Sequence, residues 1–398
     1  MNKLIAAATL AVLFTAPVHA AENWVASWGA SPQATWRAED FALPTGVPST
    51  LAQQTVRETA RISVGGRRVR VVLSNRYGTE PLVIGEATLA RATGAGAARV
   101  LTFGGKRGTV IAPGAPAISD AVEMPVTALD KLAISVYLPQ STPLTTFHWG
   151  AQQTGHIVAG NVAGAATLSG GQPLHGRALL AGIWTDTKEP TRAIVAFGDS
   201  ITDGNGSTPD RDRRWPDYLA ARLSGTAVVN AGISGARLLS DRMGVNAAAR
   251  FEQDVLSQPG VRTAIVLMGI NDIGWPQTAF APREGPMTAE RMIAVYRQLI
   301  AQARGRGVRI IGATLLPFEG ALQDTPFEGY YTPAKDAVRH EVNRWIRESG
   351  EFDAVADLDA LLRDPARPSR LLPRYDSGDH LHPGDAGYEA IALGISLD

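Results

Sequence analysis

The sequence predicts two regions in series: a mainly β, sandwich-like region over residues 22–187, and an α/β region over residues 191–398 built on a doubly wound parallel sheet. Three observations carry that division. Before about Thr185, apolar residues recur at every second position and no stretch has a convincing helical stripe. Beyond it, short apolar runs alternate with helix-period segments. Between the two, Thr185-Asp186-Thr187-Lys188-Glu189-Pro190-Thr191 is polar and contains proline, as a linker does. With 398 residues, 45% hydrophobic and 19% charged, the chain can bury a substantial core and is long enough for two domains.

Residues 1–20 come first. Lys3, the apolar stretch Leu4 to Phe14 and the small-residue ending Val18-His19-Ala20 describe a secretory signal peptide cut after Ala20, and the stretch is too short to anchor the chain in a bilayer. The expectation is therefore a periplasmic or secreted protein without a stable membrane anchor. The chain has no cysteine, so neither disulfides nor a cysteine-linked lipid is available to it. Lys+Arg and Asp+Glu balance at 38 each, which leaves no field for gathering nucleic acid.

In the β region, Val56, Ala60, Ile62 and Val64 alternate with Arg57, Thr59, Arg61 and Ser63. Gly65-Gly66 then leads into Val69, Val71 and Leu73, which reads as a β-hairpin. Asn75-Arg76-Tyr77-Gly78 reads as a turn, Leu132 to Leu138 as a further strand, and Gly94-Ala95-Gly96 as a loop. In the second region, the runs Ala193 to Phe197, Ala227 to Val229, Ala264 to Met268, Arg309 to Leu316 and Asp353 to Ala356 predict the parallel strands. A helix follows Thr288, burying Met292, Tyr296, Leu299, Ile300 and Ala303. Thr332-Pro333 opens another helix with a cap and a first-position proline, and His382-Pro383 is expected to open the last. In such sheets ligands bind beyond the carboxyl ends of the strands, where Ser200, Gly235 and Asn271 emerge.

Ser200 stands at the exit of an apolar strand within Gly198-Asp199-Ser200-Ile201-Thr202-Asp203-Gly204, and Asp379-His380-Leu381-His382-Pro383 lies near the end of the chain. A serine hydroxyl attacks a carbonyl only when a base takes its proton, and the base works best when a third group fixes its tautomer. Ser200, His382 and Asp379 can fill those roles. The resulting oxyanion needs donors, each important one worth about 3 to 4 kcal/mol. Ser200 N–H at a helix start, Gly235 N–H after the second strand and the Asn271 amide after the third are candidates. This chemistry needs no cofactor.

Competing assignments are weaker. Gly232-Ile233-Ser234-Gly235-Ala236 is an incomplete Gly-x-Ser-x-Gly elbow, so Ser234 is not taken as the nucleophile. His380 and His382 lack further histidines or cysteines at metal-ligand spacing, so no metal is expected, and His380 is read as a wall or turn residue. Asp199, Asp203 and Asp272 are expected to hold turns. Trp149, Trp215, Trp275, Phe318, Tyr330 and Tyr331 are aromatic candidates for touching substrate, with Trp275, Phe318 and Tyr330 preferred.

The Gly-Asp-Ser-Ile-Thr-Asp-Gly block, the Ser234-Gly235 turn, Gly269-Ile270-Asn271-Asp272 and Asp379 to His382 resemble the ordered blocks of the SGNH hydrolase superfamily, the GDSL esterases and lipases, over residues 193–398. The resemblance implies a flavodoxin-like sheet, with Ser200 as nucleophile, Gly235 and Asn271 completing the oxyanion hole, His382 as base and Asp379 orienting it. The region around Trp24-Val25-Ala26-Ser27-Trp28 is similar to the β region of a bacterial branch that includes carbohydrate acetylesterases. The implied substrate is a small ester or an acylated polysaccharide, with short acyl groups preferred. A lipase or lysophospholipase, or an exported O-acyltransferase using the same triad, are the alternatives; the oligomeric state is left open.

Overall fold

The computed structural model describes residues 22–397 apart from 38, 40, 42, 94 and 95. The signal peptide read in residues 1–20, and Gly94 and Ala95 of the expected loop, lie outside the described residues. No described helix is long and apolar enough to cross a membrane.

The parallel sheet is built from β1 (Arg192–Gly198), β2 (Thr226–Gly232), β3 (Val261–Leu267), β4 (Arg309–Ala313) and β5 (Ala354–Ala356), in the order β2-β1-β3-β4-β5. All pairs are parallel, so each crossover carries helical segments: α1 (Ser200–Asp203), α2 (Trp215–Arg222), α3 (Ala247–Phe251), α4 (Ile270–Gly274), α5 (Ala289–Gly305) and α6 (Pro333–Glu348), while α7 (Leu358–Leu362) and α8 (Asp385–Gly394) follow β5. The caps are legible in the sequence. Thr288 accepts the Arg291 N–H and Thr332 that of Lys335, each at the start of a helix whose apolar stripe is buried. Strand order reverses around β1, which sets the carboxyl ends of β1, β2 and β3 side by side at the crevice where such sheets bind ligands. Arg250 ties two of those ends together: buried under the sheet edge, it donates to Gly198 O and Ala231 O, both at 2.9 Å, and pairs with Asp254.

The N-terminal region is a two-sheet antiparallel sandwich among the described residues. One sheet runs Trp24–Gly29, Leu180–Asp186, Gly66–Ser74 and Pro116–Ile118, with Val122–Val126 also paired to Gly66–Ser74. The other runs Gln172–Leu174, Gly155–Ala159, Gln54–Arg61, Lys131–Leu138, Glu86–Arg91 and Arg99–Val100. Val69, Val71, Leu73 and Ile183 of the first meet Val56, Ala60, Ile134 and Val136 of the second in one core.

This corrects the expected hairpin. Gln54–Arg61 pairs with Lys131–Leu138 and Gly155–Ala159, whereas Gly66–Ser74 pairs in the opposite sheet, so Gly65-Gly66 carries the chain across the sandwich instead of folding it back. The crossing is tight: a Cβ on Gly65 would stand 2.3 Å from Val126 O. The strand Leu180–Asp186 also runs into the stretch read as linker, and buried Asp186 accepts from Arg68 there, which leaves 187–191 as the connection.

The sandwich is not a separate bead. Val228 N–H on β2 donates to Ser63 Oγ at 3.0 Å, Ala26 N–H donates to Pro259 O at 3.0 Å, and the Gln33 amide donates to Met243 O. These bonds hold the first sheet's edge against the rim of the parallel sheet, next to the crevice.

Candidate active site

Ser200 is the first residue of α1, two residues beyond the end of β1. Asp199 caps the helix by accepting the Ile201 N–H at 3.0 Å, and Gly204, at φ 111°, closes it by donating to Ser200 O at 2.8 Å. The result is a sharp strand-to-helix corner that holds the serine at the crevice floor. Gly198 and Gly232 permit the corner: a Cβ on Gly232 would lie 2.3 Å from Asp203 N.

His382, 182 residues away in sequence, points its Nε2 at Ser200 Oγ, 2.8 Å distant. Its Nδ1–H donates to Asp379 Oδ2 at 2.6 Å, which fixes the tautomer and leaves the Nε2 lone pair facing the hydroxyl. Asp379 is itself braced, its Oδ1 accepting the N–H groups of Leu381 (3.0 Å) and His382 (2.8 Å). Burial opposes ionisation of Asp379. The hydrogen bond and charge of His382, with those two N–H groups, outweigh it and hold the carboxyl well below the usual carboxylate range.

The expected helix start at His382-Pro383 is displaced. Pro383 bridges Asp376, Gly384 N–H donates to Tyr375 O at 2.8 Å, and α8 begins at Asp385 with Gly384 as its cap. His382 therefore sits in a bend three residues ahead of the first helical residue and is not itself the helix cap. His380 turns away from the serine at φ 60° and pairs through Nδ1 with Asp376 Oδ2 at 2.5 Å, a bond that locks the same turn.

Three donors line the crevice beside Ser200. The Ser200 N–H opens a helix and so has no intrahelical acceptor. Gly235 adopts φ 75°, and a Cβ there would meet Met243 Sδ at 2.4 Å, so only glycine brings this backbone to the site. Asn271, on α4 just past β3, donates one amide hydrogen to Ala236 O at 3.0 Å, which leaves the other for the cleft. Its Oδ1 accepts the Tyr330 hydroxyl at 2.7 Å. Tyr330 and Ala236 O together set which end of the amide faces the cleft.

Ser200, Gly235, Asn271 and His382 share a cleft of about 150 Å³ whose other walls are mainly apolar: Leu43, Trp149, Met243, Trp275, Phe280, Leu322, Phe327 and Leu381, with Asn205 and Ser234. Of the three preferred aromatics, Trp275 and Tyr330 line this cleft, both almost fully buried. Phe318 does not; it is fully buried behind them, edge-on to Tyr330 and Tyr331. Trp215 is a core residue whose indole reaches Thr202. Trp275, Phe280 and Phe327 stack in series, a rigid wall that sequence alone did not distinguish from core. Leu43 and Trp149 come from the sandwich, and no local signal marks them.

A second polar network lies behind the Gly235 side of the cleft. Ser234 donates its hydroxyl (2.6 Å) and N–H (2.9 Å) to Asp203 Oδ2, so it faces Asp203 and not His382. Asp203 Oδ1 is 2.9 Å from His148 Nε2, and His148 Nδ1 is 3.0 Å from Ser31 O. His148, Asp203 and Ser234 are all buried. The chain Ser31–His148–Asp203–Ser234 therefore ties the sandwich to the last residue of α1 and to the residue before Gly235. Asp272 accepts the N–H groups of Leu238 and Leu239 and fixes the same loop from its other side. Burial pushes the Asp199 carboxyl up to about 7, with the Asp272 charge adding to the rise, and burial pushes that of Asp272 up to about 6. Among the described residues no group of three or more His, Cys, Asp or Glu is disposed to hold a metal ion.

Residues 196–390 match the model of the GDSL-like lipase/acylhydrolase family. No curated protein matches the chain. Among solved structures, the chain is similar to a carbohydrate acetylesterase from Sinorhizobium meliloti (19% identity, 51% of this chain and 95% of that one, TM-score 0.38). It is also similar to an acetyl xylan esterase (19%, 51% and 96%, TM-score 0.37) and to a GDSL-like lipase from Bacteroides thetaiotaomicron (16%, 51% and 84%, TM-score 0.36).

Proposed function

Residues 196–390 make this chain a member of the GDSL-like lipase/acylhydrolase family and a carboxylic ester hydrolase, and from that premise we propose an exported serine esterase that removes acetyl and other short acyl groups from carbohydrate hydroxyls. Ser200 Oγ attacks the ester carbonyl as its proton passes to His382 Nε2 across the 2.8 Å bond. The carbonyl electrons move to the oxygen, which is met by the N–H groups of Ser200 and Gly235 and by the free amide hydrogen of Asn271. Collapse returns those electrons to the carbonyl and expels the alcohol, which takes the proton from His382. Water, deprotonated by His382, then cleaves the acyl enzyme to the carboxylic acid and restores Ser200. Asp379 remains an anion throughout and stabilises the imidazolium.

The observation that carries the short-acyl preference is the size of the cleft. An apolar cavity of about 150 Å³ takes a group the size of benzene, whereas pockets for larger ligands run from about 300 to 1,000 Å³. Each further buried CH₂ is worth about 0.8 kcal/mol only where wall is left to receive it, and the stacked rings of Trp275, Phe280 and Phe327 form one wall of this cleft. Export rests on the signal pattern of residues 1–20.

The test is a panel of aryl esters of increasing acyl length together with acetylated xylan and pectin. The expected result is a maximum of kcat/KM at two to four carbons and release of acetate from polysaccharide. Efficiency rising steadily to twelve carbons, with no acetate released, would replace this reading with a lipase or lysophospholipase.

A further inference from the structure

The acyl cleft accounts for one side of an ester; the alcohol must leave by another. Beyond Trp149 and Asn205, which line the cleft, the same two residues line a second groove of about 370 Å³, whose remaining lining comes mostly from the sandwich: the 44–46 turn, the 149–154 loop and the His175-Gly176 corner. We infer that this groove is the leaving-group subsite and that it takes a neutral sugar, an inference that rests on the carbohydrate-ester reading.

Neither groove nor cleft is lined by a charged carboxylate, ammonium or guanidinium; the groove differs in replacing most of the cleft's large apolar side chains with uncharged polar ones. Its lining contains no Asp, Glu, Lys or Arg; its side-chain functions are the Trp149 ring, the amides of Gln152, Gln153 and Asn205, the Thr45 and Thr154 hydroxyls and the His175 imidazole. A phosphate-bearing headgroup would call for a cation to meet it, and an aryl or fatty alcohol for a continuous apolar wall. One aromatic face beside several uncharged donors and acceptors suits a pyranose, which offers C–H faces to rings and hydroxyls to amides. Four glycines in the lining, Gly46, Gly150, Gly176 and Gly206, let the ligand approach backbone groups.

The groove is also rigid before any ligand arrives. The Trp149 indole is fixed by donation of Nε1–H to Pro44 O at 2.9 Å, and its backbone N–H by Gln33 Oε1 at 2.7 Å. Asp210, outside the lining, holds the opposite rim: it accepts the Thr154 N–H (2.6 Å), the Thr154 hydroxyl (2.8 Å) and the Gln153 amide (2.9 Å), while its own N–H donates to Gln152 O. Gln152 donates to Asn205 Oδ1 at 3.2 Å, joining the sandwich loop to the segment just after α1. A preformed site of this kind loses little freedom when a ligand binds. It also gives the sandwich a part in the reaction, since the family match lies wholly outside the residues that build most of the groove.

The experiment compares kcat/KM on an acetylated xylo-oligosaccharide with kcat/KM on 4-nitrophenyl acetate, in the wild type and in the Trp149→Ala and His175→Ala variants of the full chain. Circular dichroism and thermal unfolding check that the variants fold; exposed His175 carries little risk of unfolding. The expected result is that the oligosaccharide-to-aryl ratio falls at least tenfold for Trp149→Ala and severalfold for His175→Ala, chiefly through a higher KM on the oligosaccharide. If the wild type releases acetate from the oligosaccharide and both variants keep the ratio within twofold, the groove is not the sugar subsite and the carbohydrate reading stands. If the wild type releases none while hydrolysing the aryl ester, the carbohydrate reading falls and this inference falls with it.

Discussion

Tyr330→Phe separates two roles that an aromatic residue beside a catalytic serine can have. The sequence marks Tyr330 as a candidate for stacking on substrate. In the fold it is almost fully buried and donates its hydroxyl to Asn271 Oδ1 at 2.7 Å. Burial, with the neighbouring Asp199, Asp272 and Asp379 charges, holds its pKa well above that of an ordinary tyrosine, so it remains a donor at any working pH. Phenylalanine keeps the ring and leaves Oδ1 buried without that donor, which costs about 1 to 3 kcal/mol of stability. For catalysis the second anchor matters. Asn271 still donates to Ala236 O, and a flipped amide would set oxygen against oxygen there. One net hydrogen bond of about 1 kcal/mol keeps roughly five molecules in six correctly oriented, so kcat should fall by less than about 2-fold, against about 10² to 10³ for Asn271→Ala. KM should hold in both variants, because the amide acts on the oxyanion and not on the ground-state carbonyl. Steady-state kinetics on 4-nitrophenyl acetate, paired with thermal unfolding, give both readouts. A severalfold rise in KM with kcat intact would refute the orienting role and return Tyr330 to substrate contact.

Ser200→Ala should abolish turnover without unfolding the chain, and a fluorophosphonate should label Ser200 and spare Ser234, as peptide mass spectrometry would show. His382→Ala should lose at least about 10³ in kcat, whereas His380→Asn, which tolerates the left-handed backbone, should lose less than about tenfold. His148→Ala removes a buried partner from both Asp203 and Ser31 O, so the protein should lose at least about 1 to 3 kcal/mol in denaturant unfolding; an unchanged midpoint would contradict the network. Asp199 supplies a pH signature. Its carboxyl is raised from 3.8 to about 7 in the folded state, so the stability it contributes is complete below pH 3.8 and is lost as pH rises through about 7. Asp199→Asn, which keeps an acceptor for the Ile201 N–H, should flatten the fall in Tm between about pH 4 and 7, and an equally steep fall in the variant would refute that assignment.

What the sequence by itself determined is what short stretches of chain encode. Short apolar runs locate the parallel strands and period-3.6 patterns the helices after Thr288 and Thr332, because burial of a whole strand or of one helix face is a local property. Asp379 and His382 are three residues apart, so their pairing within one turn is legible before folding. Tertiary structure decided the rest. A two-residue period says that a strand has one buried face but not which strand lies beside it, so Gln54–Arg61 and Gly66–Ser74 read as a hairpin yet stand in opposite sheets. Pro383 is as compatible with a first helical turn as with the extended bridge to Asp376 that it makes. Leu43, Trp149 and His148 reach the site from the sandwich, and Tyr330 reaches Asn271 from 59 residues away. Each of these contacts depends on how one region's surface meets another's, and that is fixed by packing between elements distant in sequence, for which no local pattern of residues exists.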